Sequence, residues 1–176
     1  MSDHFERLGL PRRFSVDPAS VEREYLARSR AVHPDFHQLG SSAEQKASLD
    51  QTAALNEAYL ALKDPFRRAE YLLTLLGGPT AQAEKNLDQN FLMDMLDMRE
   101  RIEEARGSGN TTAIRSLETE LAGIQKHRIH EIASQFDRFD SLPIDHAERA
   151  ILLVEIRRGL NAVRTIQSLI RDLNKD

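Results

Sequence analysis

The sequence predicts an all-α fold, and three observations carry that prediction. Apolar residues recur at intervals of three and four in each long segment, the spacing that places them on one face of a helix. No segment shows the sustained apolar–polar alternation of a β-strand. Glycine and proline interrupt the pattern at only a few places, so we expect helices with short connections along the 176 residues.

The composition limits the classes of function. With 40% hydrophobic and 30% charged residues, the chain has the composition of an ordinary folded protein. Its mean hydropathy of -0.50 and lack of a long apolar run argue against a membrane span. A net charge of -4 argues against nucleic-acid binding. The N-terminus lacks a secretory pattern and there is no cysteine, so we expect a cytoplasmic protein without disulfides or cysteine-ligated metal.

Two helices are predicted near the N-terminus, after a short first helix at His4–Leu8. Asp17-Pro18 provides an N-cap followed by proline at the first helical position. Ser41 and Glu44 form a possible capping box for the second helix, which ends near Leu62. Because both helices have an apolar face and a short connection, we expect them to pack as an antiparallel hairpin.

The tripeptide His33-Pro34-Asp35 lies in the predicted turn of this hairpin. Pro34 fixes its own φ angle and disfavours the helical conformation for His33. The tripeptide therefore stops the helix and presents an imidazole and a carboxylate on a stiff turn. The alternative is that Asp35 is an ordinary turn residue. A metal site that combines His33 with His37 is disfavoured, because Pro34 interrupts the helix that would align them.

The C-terminal half is predicted to form an antiparallel three-helix bundle. Asp64-Pro65 starts one more N-terminal helix, and Gly77-Gly78-Pro79 then breaks the pattern. The three helices of the bundle are predicted at about Asp88–Arg106, Thr111–Phe139 and Ile144–Leu173. We therefore expect an N-terminal domain at 1–76, a connector at 77–85 and a C-terminal domain at 86–176.

The first helix of the bundle has two sets of apolar residues. One set forms a core stripe with spacings of 4, 3, 4 and 3: Phe91, Met95, Met98, Ile102 and Ala105. Leu92, Met93 and Leu96 lie roughly 100° to 160° from that stripe, on a side that also has acidic residues. An apolar cluster bordered by acids is typical of a partner-binding face. The alternative is that these three residues widen the core or contact the helix at Phe66–Leu76.

Several motifs together resemble the HscB family of iron–sulfur co-chaperones, in which a J domain precedes a helical client-binding domain. The motifs are His33-Pro34-Asp35, Leu55-Asn56-Glu57-Ala58-Tyr59, Leu62-Lys63-Asp64-Pro65 and the run from Arg67 to Leu73. The resemblance extends from His4 to about Leu160. It implies an N-terminal J domain made of a helical hairpin with short helices, followed by a scaffold-binding three-helix bundle.

The resemblance also implies two sets of binding residues and no catalytic, cofactor or metal site. The residues expected to contact an HscA/DnaK-type ATPase chaperone are His33, Pro34, Asp35, Arg23, Arg28 and Arg30. Those expected to bind an IscU-type iron–sulfur scaffold are Leu92, Met93, Leu96, Asp97, Glu100 and Leu152. The chain departs from the family in two places. Phe36 directly follows Asp35, where many J domains have Lys or Arg, and family members often have phenylalanine near Leu152.

The implied function is that of a co-chaperone, not an enzyme. It would deliver the scaffold to the chaperone and stimulate the chaperone's ATPase to promote cluster transfer. Two alternatives are a J-domain co-chaperone for a different client and a plain helical interaction module in which His33-Pro34-Asp35 is incidental.

Overall fold

The computed structural model describes residues 2–32 and 41–175. Over these residues the chain is all-helical, which confirms the predicted fold class. It divides into two compact units, Met1–Leu72 and Leu73–Asp176. The helices are α1 (His4–Leu8), α2 (Pro18–Ala31), α3 (Ser42–Lys63), α4 (Pro65–Leu75), α5 (Gln89–Gly107), α6 (Thr111–Ser141) and α7 (Glu148–Leu173).

The predicted N-terminal capping residues lie at the N-termini of α2 and α3. Asp17 accepts hydrogen bonds from the backbone N–H groups of Ala19 and Ser20, with Pro18 at the first helical position. Ser41 and Glu44 form the predicted capping box of α3. Each cap satisfies backbone donors that have no partner within the helix, which is why these short polar residues fix the helix starts.

The first unit is built around the packing of α1, α2 and α3. Its core includes the fully or almost fully buried Phe5, Leu8, Val21, Ala58 and Leu62. Tyr25 of α2 stacks on Tyr59 of α3 with ring centroids 4.2 Å apart, and the Tyr25 hydroxyl donates to Asn56 Oδ1 at 2.9 Å. These contacts join α2 and α3 into the predicted hairpin.

The buried face of α3 includes one polar residue. Ala47 is exposed, whereas Ser48 is only 3% exposed. Apolar periodicity does not identify Ser48 as buried, because the pattern gives no weight to a serine. The Ser48 hydroxyl enters the interior because it has a hydrogen-bond partner there, the carbonyl oxygen of Val32 at 2.8 Å.

The second unit contains the predicted antiparallel three-helix bundle. The predicted core stripe of α5, from Phe91 to Ala105, is buried. Arg101 of α5 pairs with Glu120 near the start of α6, and Arg128 further along α6 lies over the Phe91 ring near the start of α5. These two helices therefore run in opposite directions. Arg106, at the end of α5, donates to the carbonyl oxygens of Asp172, in the last turn of α7, and of Lys175, just after that helix. Helices α5 and α7 therefore run the same way.

The start of α7 was predicted too early. The helix begins at Glu148 instead of Ile144, because residues 143–147 form turns in which His146 N–H donates to Pro143 O at 3.1 Å. Ala147 at the cap position offers no side-chain acceptor. Ile144 is 86% exposed and belongs to no apolar stripe. Pro143 followed by the apolar Ile144 resembles the start of a helix in the sequence, which explains the early prediction.

The residues predicted as a connector lie along α7. Arg157 Nε donates to Pro79 O at 2.8 Å, and Asn161 Nδ2 donates to Glu84 O at 2.8 Å. The boundary between the compact units falls within α4, so residues 77–85 belong to the second unit. Of the helices in the described ranges, none combines the length and the apolar character needed to span a membrane.

We expect His4 to make the stability of the protein pH-dependent. Its ring stacks on Tyr71 at 4.2 Å between centroids. Partial burial, with a smaller contribution from the charge of Arg7, lowers the pKa of His4 below its usual 6.5. Because the folded-state pKa is the lower one, this contribution to stability is present above about pH 6.5 and is lost as the pH falls toward the folded-state pKa.

An NMR titration of the His4 ring checks this directly and should give a pKa below 6.5. The free energy of unfolding of the wild type should fall more between pH 7.5 and 5.5 than that of His4→Asn. A folded-state pKa at or above 6.5 would show that the ring is not desolvated in this way.

Candidate partner-binding surfaces

The first candidate surface lies on α2. His33, Pro34 and Asp35, the centre of the predicted chaperone site, lie outside the described residues. The three predicted arginines are described and belong to α2, which ends at Ala31, with Val32 as its C-cap. The structure thus gives the positions of the basic residues that precede the tripeptide.

The three arginines do not share one face. Arg23 and Arg30 are seven residues apart, so they project within about 20° of each other, whereas Arg28 projects about 140° from Arg23. Arg23 has a 65% exposed side chain, and Arg30 is also exposed. The guanidinium of Arg28 packs over Gly9, where an added Cβ would overlap it. Arg23 and Arg30 therefore form one basic face, and Arg28 lies against the end of α1.

The second candidate surface is the outward side of α5, which we call the α5 face: Leu92, Met93, Leu96, Asp97 and Glu100. The exposed fractions of Leu92, Met93 and Leu96 are 42%, 62% and 61%. Other large apolar residues are exposed in the described ranges, but no other helix exposes three within five positions. The three residues thus do not widen the core of the bundle. An exposed apolar cluster of this kind is typical of a protein-binding site.

The charge of the α5 face is predominantly negative. Asp97 and Glu100 are both exposed beside the apolar residues. The nearby Arg101 is held by Glu120, with its Nη2 2.7 Å from Glu120 Oε2. That hydrogen bond lowers the pKa of Glu120 and keeps the pair ionised. Since Arg101 is engaged with α6, the face suits a partner that offers apolar and basic side chains.

Leu152 does not share this exposure. It is 6% exposed and is buried along α7 together with Ile156 and Leu160, at the i+4 and i+8 positions. Its neighbour Ile151 is 58% exposed. Leu152 lies in the continuous apolar run from Ala150 to Val154. Periodicity alone cannot assign the residues of such a run to one face, so it does not show which of them are buried. No cluster of three His, Asp or Glu side chains within residues 2–32 and 41–175 is placed to hold a metal ion.

Comparison with known proteins identifies the family to which the chain belongs. The chain is 34% identical over 154 residues to a co-chaperone protein HscB homolog of Burkholderia mallei (strain SAVP1), with 86% of this chain and 87% of the relative covered. It is 35% identical over 156 residues to the homolog of Bordetella petrii, covering 87% and 90% of the two chains. The chain belongs to the HscB family of co-chaperones. This confirms the resemblance to the HscB iron–sulfur co-chaperones that the motifs indicated.

A family model and solved HscB structures agree with this assignment. Residues 87–155 match the HSCB C-terminal oligomerisation domain, a range that contains the α5 face and Leu152. The chain is similar to chaperone HscB from Vibrio cholerae, with a TM-score of 0.79, 26% identity, and coverage of 98% and 95% of the two chains. It is also similar to human co-chaperone protein HscB, with a TM-score of 0.82, 26% identity, and coverage of 98% and 81%. The first unit is thus a J domain, and the second is the helical C-terminal domain of an HscB-type fold.

Proposed function

We propose that this HscB-family chain binds an IscU-type iron–sulfur scaffold on the α5 face, delivers it to an HscA/DnaK-type chaperone, and stimulates the chaperone's ATPase. The observation that carries the proposal is the exposed apolar cluster with an acidic border on α5, in a chain that also contains a J domain. The protein acts as an adaptor and performs no hydrolysis itself. Its proposed location is the cytoplasm.

The proposed contact with the chaperone depends on charge. Asp35 pairs with an arginine of the chaperone, a charge-assisted interaction that suits a carboxylate on a proline-stiffened turn. Arg23 and Arg30 contact an acidic surface of the chaperone, since they share one exposed face of α2. Arg28 is not part of this proposed contact, because its guanidinium packs on Gly9. Stimulation follows if these contacts are stronger in the hydrolysis-ready state of the chaperone than in its other state.

The proposed contact with the scaffold is mainly apolar. Leu92, Met93 and Leu96 each have about half of their surface free to be covered. Complete burial of such side chains is worth about 1.5–3 kcal/mol each, so covering the exposed half contributes about 1 kcal/mol per residue. Asp97 and Glu100 give the contact its orientation, because they select a basic partner surface over an acidic one. Leu152, buried in α7, is left out of this contact.

The proposal requires both contacts on one chain. A scaffold bound to the α5 face is held near a chaperone bound to the J domain, which raises the effective concentration of one for the other. This gain needs no direct contact between the two partners. It accounts for the presence of a J domain and a separate apolar surface in the same protein.

The first prediction concerns the chaperone contact. Wild-type protein should increase the steady-state ATPase rate of an HscA/DnaK-type chaperone, and Asp35→Asn should lose that stimulation because the carboxylate charge is removed. Asp50→Asn removes the same charge from an exposed position of α3 and is the matched control, which should stimulate normally. If the wild type does not stimulate, the chaperone half of the proposal is wrong.

The second prediction concerns the scaffold contact. Replacing Leu92, Met93 and Leu96 together by alanine should weaken scaffold binding in calorimetry by roughly two orders of magnitude, since about 3 kcal/mol of apolar burial is lost. Helix content should stay the same, because none of the three residues is buried in the bundle core. Ile144→Ala, at an 86% exposed position of the same unit, is the control and should bind normally. An unchanged affinity of the triple variant would place the client site elsewhere.

A further inference from the structure

We propose that Glu120 of α6 is a specificity-determining residue for the scaffold contact, although it is not a member of the α5 face. Its carboxylate binds Arg101, a cation that would otherwise pair with Asp97 of that face. The inference deepens the proposed function and rests on it, because the charge of Asp97 matters only if a basic partner surface binds there.

Arg101 and Glu120 form a two-point ion pair between α5 and α6. Arg101 Nη2 donates to Glu120 Oε2 at 2.7 Å, and Arg101 Nη1 donates to Glu120 Oε1 at 3.2 Å. Charge-assisted hydrogen bonds to both oxygens of a carboxylate fix the plane of the guanidinium. The two side chains are 44% and 41% exposed, so water screens the pair and its contribution to stability is small. The main effect of the pair is to fix the position of the Arg101 charge.

Asp97 is the alternative partner for Arg101 within α5. It lies four residues before Arg101, and the two side chains project within about 40° of each other. An acid four residues N-terminal to a cation is the favourable orientation for an ion pair along a helix. Asp97, Arg101 and Glu120 also line the same groove between α5 and α6. Arg101 is therefore placed to turn to Asp97 once Glu120 no longer binds it.

The electrostatics of the groove agree with this choice of partners. The pKa of Arg101 is raised, first by its hydrogen bond to Glu120 and then, against partial desolvation, by the charges of Glu120 and Asp97. These are the two carboxylates whose charges act most on Arg101. In the described part of the chain, no salt bridge engages Asp97. Asp97 thus stays available to a partner while Arg101 is bound to Glu120.

Loss of the Glu120 charge should therefore change the α5 face. A released Arg101 that pairs with Asp97 neutralises one of the two acids of the face, which leaves Glu100 as the other. It also brings a positive group next to the apolar residues. Both changes oppose a basic partner surface. Glu120 in this way favours a basic partner from a position outside the contact.

Two variants that break the same ion pair test this role by calorimetry with a purified IscU-type scaffold. Glu120→Gln releases Arg101 and should weaken binding roughly threefold at about 0.1 M salt, within the range of one exposed ion pair. The difference from the wild type should disappear at about 1 M salt, where the screening length is about 3 Å. Arg101→Gln leaves no cation to neutralise Asp97, so it should bind no more weakly than the wild type. The double variant should bind like Arg101→Gln alone.

Glu118→Gln is the matched control for net charge. It removes the same charge from an exposed position of α6, about 160° around the helix from Glu120, and should bind like the wild type. Melting curves should show that all the variants are folded at the assay temperature.

Four results would overturn the role of Glu120: wild-type affinity for Glu120→Gln, equal weakening by Arg101→Gln, equal weakening by Glu118→Gln, or a double variant as weak as Glu120→Gln. The second would show that the ion pair is merely structural. The proposed scaffold contact survives each of them, provided that Asp97→Asn and the triple alanine variant still bind more weakly than the wild type. If Asp97→Asn binds like the wild type, the acidic part of the proposed contact fails, and the role of Glu120 fails with it.

Discussion

A helix at the side of a three-helix bundle can bury only one face, and this constraint determines the surface of α5. Phe91, Met95, Met98, Ile102 and Ala105 use the whole of that face. Any further apolar residue in the helix must then face away from the bundle core. Leu92, Met93 and Leu96 do so, at 42–62% exposure. Because the bundle is already packed without them, we propose that a partner covers them.

In the first unit, side-chain contacts hold two helices together. The stacked Tyr25 and Tyr59 rings join α2 to α3 within the hairpin, and the Ser48 hydroxyl joins them at the end of α2. These contacts connect α2 and α3 at two places along the described part of the hairpin.

Much of this fold could be predicted from residue spacing and helix caps. The α5 stripe and the Ser41–Glu44 capping box were predictable because each depends on neighbours within one helix. The burial of Leu152 was not, because α7 buries a wide arc and Leu152 lies in a continuous apolar run from Ala150 to Val154. Ser48 was missed because its burial depends on an acceptor in another helix. The spacing of the three arginines shows that Arg28 lies on a different face of α2 from Arg23 and Arg30. The packing of Arg28 on Gly9 could not be predicted, because it depends on the tertiary structure.

The central claim is that one chain must hold both partners, and a mixing experiment tests it most directly. The scaffold-dependent increase in chaperone ATPase rate would be measured with wild type, with Asp35→Asn, with the triple alanine variant at Leu92, Met93 and Leu96, and with an equimolar mixture of the two variants. The mixture supplies an intact J domain and an intact α5 face, but on separate molecules. The account predicts that the mixture gives no scaffold-dependent increase above that of the triple variant alone. Recovery of the wild-type increase by the mixture would contradict it.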